Sequence, residues 1–167
     1  MNQLKATLRE LLFTSRLIVD RYVSDLSCHE LLQRPGKIGN PVLWQLGHLI
    51  ASEIEMLQLI GLPFDGQITN EFLSRHQKGA YSDGWELEID REDGHQSYLQ
   101  LMKEVRAHTL NVLDAITLEE FGSPAPEKMR SYAQSKGSIF SMIASHECLH
   151  AGQIAVLRRE LGKPVVL

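Results

Sequence analysis

A chain of 167 residues, 43% of them apolar and with a formal net charge of −4, is long enough to bury one sizeable core, and a single domain spanning residues 1–167 is expected. Acidic and basic residues are interspersed without a basic block, which argues against a nucleic-acid binder, and no stretch approaches the ~20 apolar residues that cross a bilayer. Two cysteines, Cys28 and Cys148, make no disulfide framework. Lys5, Arg9 and Glu10 interrupt the first apolar residues, so a secretory leader is not expected and the reading is cytoplasmic.

The periodicity is helical throughout. Leu4, Leu8, Leu11, Ser15, Ile18 and Tyr22 step by three and four, the apolar stripe of a first long helix. Ser27 with Glu30 reads as a capping box opening a short helical turn, broken by Arg34-Pro35-Gly36. Asn40-Pro41 predicts the next helix start, with Asn as N-cap and Pro at the first helical position. That second long helix runs through Trp44, His48 and Ile54 to about Ile60 and stops at Gly61. Between residues 62 and 90 the pattern lapses around Gly66, Gly79 and Gly84, leaving only a short helical turn near Glu71–Arg75. So long a connection in a compact domain is usually functional or mobile.

Tyr98, Leu101, Val105, Thr109, Val112 and Ile116 form the stripe of a third long helix, and Thr117 with Glu120 makes a second capping box. A fourth helix runs from about Ser138 to Leu161, ended by Gly162 and Pro164. Four long amphipathic segments without a convincing alternating strand predict an all-α fold, an up-and-down four-helix bundle with a long irregular connection between its second and third helices.

The chemistry lies on the fourth helix, in His146-Glu147-Cys148-Leu149-His150. Residues four apart differ by about 40° around a helix and lie roughly 6 Å apart along it, so the two imidazoles can converge on one ion. They interrupt an otherwise apolar stripe of Ile139, Ile143, Ile154 and Leu157, which turns them toward the core. A buried imidazole must be metallated or hydrogen-bonded, since leaving it unsatisfied costs about 1–3 kcal/mol. Cys148 points away. HExxH suggests a zinc protease, but Val156 occupies the place of a third histidine six residues on, and Glu160 lies about 15 Å along the same helix. A third ligand is therefore expected upstream. His48 is the best placed, beside Gly47, which permits the close approach of another backbone, and packed helices lie about 8–10 Å apart. His29, His76 and His95 are expected to be solvated, and His108 borders the third helix's stripe.

The run N-P-V-L-W-Q-L-G-H-L from Asn40 to Leu49, H-E-C-L-H-A-G-Q-I from His146 to Ile154, and the closing R-R-E-L-G-K-P together resemble the DinB-like superfamily. More narrowly they resemble its YfiT-type metal-dependent hydrolases and bacterial thiol S-transferases. The resemblance covers nearly the whole chain. It implies a four-helix bundle, a metal site of His48, His146 and His150, and an association that is often dimeric.

Three neutral imidazoles leave the charge of a divalent ion uncompensated and at least one coordination position open. Such an ion lowers the pKa of bound water to ~7 or holds a thiol as its thiolate. The resemblance favours the second, a transferase acting on a small-molecule electrophile with a low-molecular-weight thiol as cosubstrate. The alternatives are a hydrolase that activates water and a non-catalytic metal-binding protein. Zinc and nickel both suit imidazole. Glu147 reads as a general base or as an acceptor for a ligand's N–H. Gln153 reads as a substrate contact or a buried amide bonded to a neighbouring helix, and Trp44 as core or pocket wall. Arg158 reads as a solvated cation favouring the helix dipole or as a contact for an anionic thiol. Tyr81 and Trp85 could line the site's mouth or pack the loop.

Overall fold

The computed structural model describes residues 2–81 and 93–165, with the side chains of Asn2 and residues 93–95 left aside. The described chain is all-helical. Four long helices dominate: α1 (Asn2–Val23), α3 (Val42–Leu59), α5 (Asp93–Ala115) and α7 (Lys136–Glu160). Three short ones lie between them, α2 (Cys28–Leu31), α4 (Asn70–Arg75) and α6 (Leu118–Gly122). Each long helix lies against two others, α1 on α7 and α5, and α3 on α5 and α7. No described helix is long and apolar enough to cross a membrane.

The caps follow local chemistry. Ser27 with Glu30 and Thr117 with Glu120 both form complete capping boxes, and Gly61 (φ +83°) and Gly162 (φ +68°) take the left-handed conformation just beyond α3 and α7. Two starts differ from expectation. Pro41, not Asn40, is the N-cap of α3, with no side-chain cap: the Pro41 carbonyl accepts the first bond of the helix from the Gln45 amide at 3.0 Å, and the Asn40 carbonyl accepts from the Gln45 side chain at 2.8 Å. α7 begins two residues early, since Ser135 caps it by accepting from the amide of Ser138. Of the expected irregular connection, residues 62–81 carry α4, capped by Thr69. Residues 82–90, with Gly84 and Trp85, lie outside the described residues.

Two of the apolar stripes are rotated from the sequence reading. On α1 the buried residues are Leu8, Leu12, Ser15, Arg16, Val19, Tyr22 and Val23, while Leu4 and Leu11 are exposed. On α5 Met102, Arg106 and Leu113 are buried where Leu101 and Val112 are only half-buried. Both helices carry adjacent apolar residues (Leu11-Leu12-Phe13, Leu101-Met102, Val112-Leu113), so periodicity alone cannot choose the inner one. The choice is made by two arginines, Arg16 and Arg106, that turn inward.

Those arginines divide the core. One apolar cluster holds Val19, Leu46, Ile50, Ile54, Met102, Val105 and Ile154; the other holds Leu8, Leu12, Leu57, Leu113, Ile139, Phe140 and Ile143. Between them lie Arg16 of α1, Glu53 of α3, Arg106 of α5 and Glu147 of α7, one residue from each long helix and all at most 8% exposed.

Candidate metal centre

α7 is continuous from Lys136 to Glu160, so His146 and His150 lie one turn apart on one face. α3 presents His48 to them. The ring centroids are 5.2 Å apart for His48–His146, 5.3 Å for His48–His150 and 4.8 Å for His146–His150. One ring nitrogen from each lies within 4.8 Å of the others. Zinc–nitrogen bonds of ~2.0–2.1 Å set tetrahedral nitrogens roughly 3.4 Å apart, a closure within the reach of side-chain rotation.

The donor set fits an ion because two of the rings have their far nitrogen already engaged. The Nδ1 of His48 lies 2.7 Å from the carbonyl oxygen of His76. A carbonyl only accepts, so Nδ1 carries the proton and Nε2 keeps its lone pair. Nδ1 of His150 lies 2.8 Å from Oε1 of Gln45. The Gln45 amide is oriented by its own Nε2, which donates to the Asn40 carbonyl, so its oxygen faces the imidazole and His150 takes the same tautomer. Outer partners of this kind fix ring orientation in metal-binding histidines. Ser52 Oγ stands 3.5 Å from His48 Nε2. Gln45 is fully buried and stands three residues before His48 on the same helical face; the i, i+3 spacing in W-Q-L-G-H is the signal that could have singled it out.

Burial lowers the pKa of all three rings. His146 falls to about 4, through burial and then the neighbouring His48, and His150 to about 3, through burial and then His146 and His48; His48 is lowered too. At neutral pH all three rings are uncharged, the form in which an imidazole can ligate a metal. A cleft of about 200 Å³ opens beside His48, lined by Ser52, Glu55, Gln58, Leu73, Gln77 and Lys78 among others.

Glu147 does not face this cleft. Its oxygens accept from Arg16 Nε at 2.7 Å and Ser15 Oγ at 2.5 Å, and Arg106 Nη2 lies 2.9 Å away. Glu53 is held from the same side: Arg106 donates to both its oxygens at 3.0 Å, and Thr109 Oγ1 donates at 2.5 Å. Burial raises the Glu53 pKa, but Arg106 and Arg16 outweigh it and the net shift is downward. The reading of Glu147 as a general base is therefore corrected: both oxygens are committed to buried cations, Arg16 of α1, which packs on α7, and Arg106, whose side chain reaches across from α5.

Other expectations also change. His76 is not solvated but fully buried. Gln153 is exposed, which removes the buried-amide reading, and it is not part of the cleft lining. Arg158 is neither solvated nor at the cleft. It is 2% exposed and donates to the carbonyls of Tyr22 and Pro164 and to Asp25, fastening the end of α7 to the end of α1. Trp44 is buried and stacks on His48, centroids 5.2 Å apart and planes 9° from parallel; Tyr81 meets Trp44 edge-on at 6.0 Å. His29 is exposed, and His108 pairs with Asp65 at 3.0 Å, outside the three-histidine group. Cys148 is exposed. The side chain of His95 lies outside the described residues.

The depressed histidines predict an acid-sensitive fold. An unfolded imidazole titrates near 6.5, whereas His76 and His146 titrate at about 4 when folded. Between those values the unfolded chain binds more protons, so stability is full above pH ~6.5 and is lost as pH falls toward 4. Buried His76 alone accounts for on the order of 3 kcal/mol at 1.36 kcal/mol per unit. Urea midpoints of the metal-free chain between pH 7 and 4.5 should fall progressively; a flat profile would mean that the buried histidines titrate normally.

A family model described as the DinB superfamily matches residues 14–154, a span that contains all three histidines of the cluster. No curated protein and no solved structure matches the chain.

Proposed function

We propose that this chain, which belongs to the DinB superfamily, is a divalent-metal-dependent enzyme that transfers a low-molecular-weight thiol to a small electrophilic substrate. His48, His146 and His150 are the metal ligands, with zinc or nickel as the ion that three imidazoles suit. The four long helices are read as one up-and-down bundle forming a single domain, and its partners as small molecules rather than nucleic acid or membrane.

The observation that carries the transferase over the hydrolase is the placement of Glu147. In HExxH hydrolases that glutamate is the general base; here it is bound by two guanidinium groups and a hydroxyl. A divalent ion on three neutral imidazoles supplies the acidity that keeps a coordinated thiol ionised without a protein base. The chain's own residues do the rest. Gln45 and the His76 carbonyl hold two rings with Nε2 unprotonated, Trp44 stacks against His48, and Ser52 stands at hydrogen-bonding reach of the ligand atom. The cleft beside His48 brings the electrophile in past Gln58, Gln77 and Lys78.

Addition of single thiols to the cobalt-substituted protein should produce a thiolate-to-metal charge-transfer band, and the same thiols should support metal-dependent consumption of an electrophile. Metal-dependent hydrolysis that proceeds equally well without any thiol would favour the hydrolase, and no thiol-dependent band or rate would end the transferase reading.

A further inference from the structure

The end of α4 is joined to α3 at three points within five residues. The Trp44 indole Nε1 donates to the Arg75 carbonyl at 3.2 Å, and His48 Nδ1 donates to the His76 carbonyl at 2.7 Å. Between them, Gly47 leaves the space into which the His76 ring fits. A Cβ at position 47 would stand 2.3 Å from Cδ2 of that ring, far inside contact distance, so only glycine admits it. Trp44, Gly47 and His48 share one helical face by their i, i+3, i+4 spacing.

The His76 ring is fixed at both nitrogens. Nδ1 lies 2.8 Å from the Phe72 carbonyl and so donates, which leaves Nε2 to accept from the Tyr98 hydroxyl at 3.0 Å. Phe72 packs on it with centroids 4.4 Å apart. The ring is therefore immobilised by α3, α4 and α5 together, and its own main-chain carbonyl is the group that orients His48.

We propose that His76 is a positioning residue for the metal centre: seated on Gly47 and tied to Tyr98, it holds its backbone carbonyl against His48 and so presents His48 Nε2 to the ion. The glycine of the G-H pair and the histidine at the end of α4 thus form one device, which makes part of the long connection a component of the site. The inference rests on the reading of His48 as a ligand. Outer partners of this kind are worth about 10–100-fold in metal affinity.

The test has a spectroscopic arm and a binding arm. In the metal-free wild-type chain, long-range ¹⁵N–¹H correlation should find His48 as the Nδ1–H tautomer, and an Nε2–H ring or an even mixture overturns the proposal. In His76→Leu, which fills the seat beside Gly47 without either hydrogen bond, the zinc Kd by chelator competition should rise about 10–100-fold with one zinc still bound per chain. His48→Ala is the control: if it keeps one tightly bound zinc, the three-histidine reading fails. If it loses zinc while His76→Leu stays within about twofold of wild type and merely melts earlier, His76 is structural and the positioning role fails. Should His76→Leu not fold, Tyr98→Phe takes its place; it should shift His48 toward a tautomer mixture and weaken zinc at least about threefold, and wild-type behaviour on both counts overturns the proposal.

Discussion

Replacing Arg106 with alanine is expected to destabilise the chain by about 3–5 kcal/mol, the cost of leaving a buried charge without its partner. Arg106 donates to both oxygens of Glu53 and to the Leu12 carbonyl, and its Nη2 lies 2.9 Å from Glu147. Its removal leaves two carboxylates, each at most 2% exposed, with Arg16, among the described residues, as the one guanidinium that still pairs with both. Domains of this size have about 5–15 kcal/mol of stability in all, so the variant forfeits a large share. The exposed pair Lys128–Glu55 provides the contrast, because solvent screens it, and Lys128→Ala should cost no more than about 1 kcal/mol. Urea unfolding of the two variants beside wild type measures both. An Arg106→Ala midpoint as close to wild type as that of Lys128→Ala would mean that the four-helix charge network contributes little.

The second large effect is on metal content. His146→Ala and His150→Ala should each abolish stoichiometric binding, because two remaining imidazoles cannot replace a third that belongs to the shell, and the loss should far exceed the roughly 100-fold typical of an outer partner. His48→Ala should do the same from the opposing helix. His29→Ala and His108→Ala should each retain one ion per chain, since His29 is exposed and His108 is bonded to Asp65. Metal analysis after purification in the presence of zinc or nickel reads all five. Full occupancy in any of the first three would remove that residue from the site.

The glutamate of the HExxH run sharpens both expectations. It stands beside His146 in sequence yet belongs to the charge network, so Glu147→Gln should behave as a stability variant. Its carboxylate anchors α7 to α1 and α5, and the histidines project from a different side of the same helix. The network also accompanies the division of the core into two apolar clusters: on α1, α5 and α7 the charged residue sits between the residues of one cluster and those of the other, and on α3 Glu53 lies within a turn of the boundary between Ile54 and Met56.

The sequence by itself determined the elements and the chemistry they carry. Helical periodicity, two capping boxes and glycines beyond the ends of α3 and α7 are local signals, written in residues within a turn or two of one another. The spacing of His146 and His150 is likewise a local fact, because a continuous helix converts four residues into one face. Only the tertiary structure decided which of several adjacent apolar residues turns inward on α1 and α5. That choice depends on Arg16 and Arg106 meeting Glu53 and Glu147 from other helices, and a buried ion pair has no period along the chain. The same holds for His76, which composition and its irregular surroundings place in solvent. Its burial follows from the space above Gly47, 29 residues earlier, and from the Tyr98 hydroxyl 22 residues later. Glu147 and Arg158 are buried for the same physical reason: a charged residue enters the core only when its partners arrive from distant parts of the chain, and those partners exist only once the chain has folded.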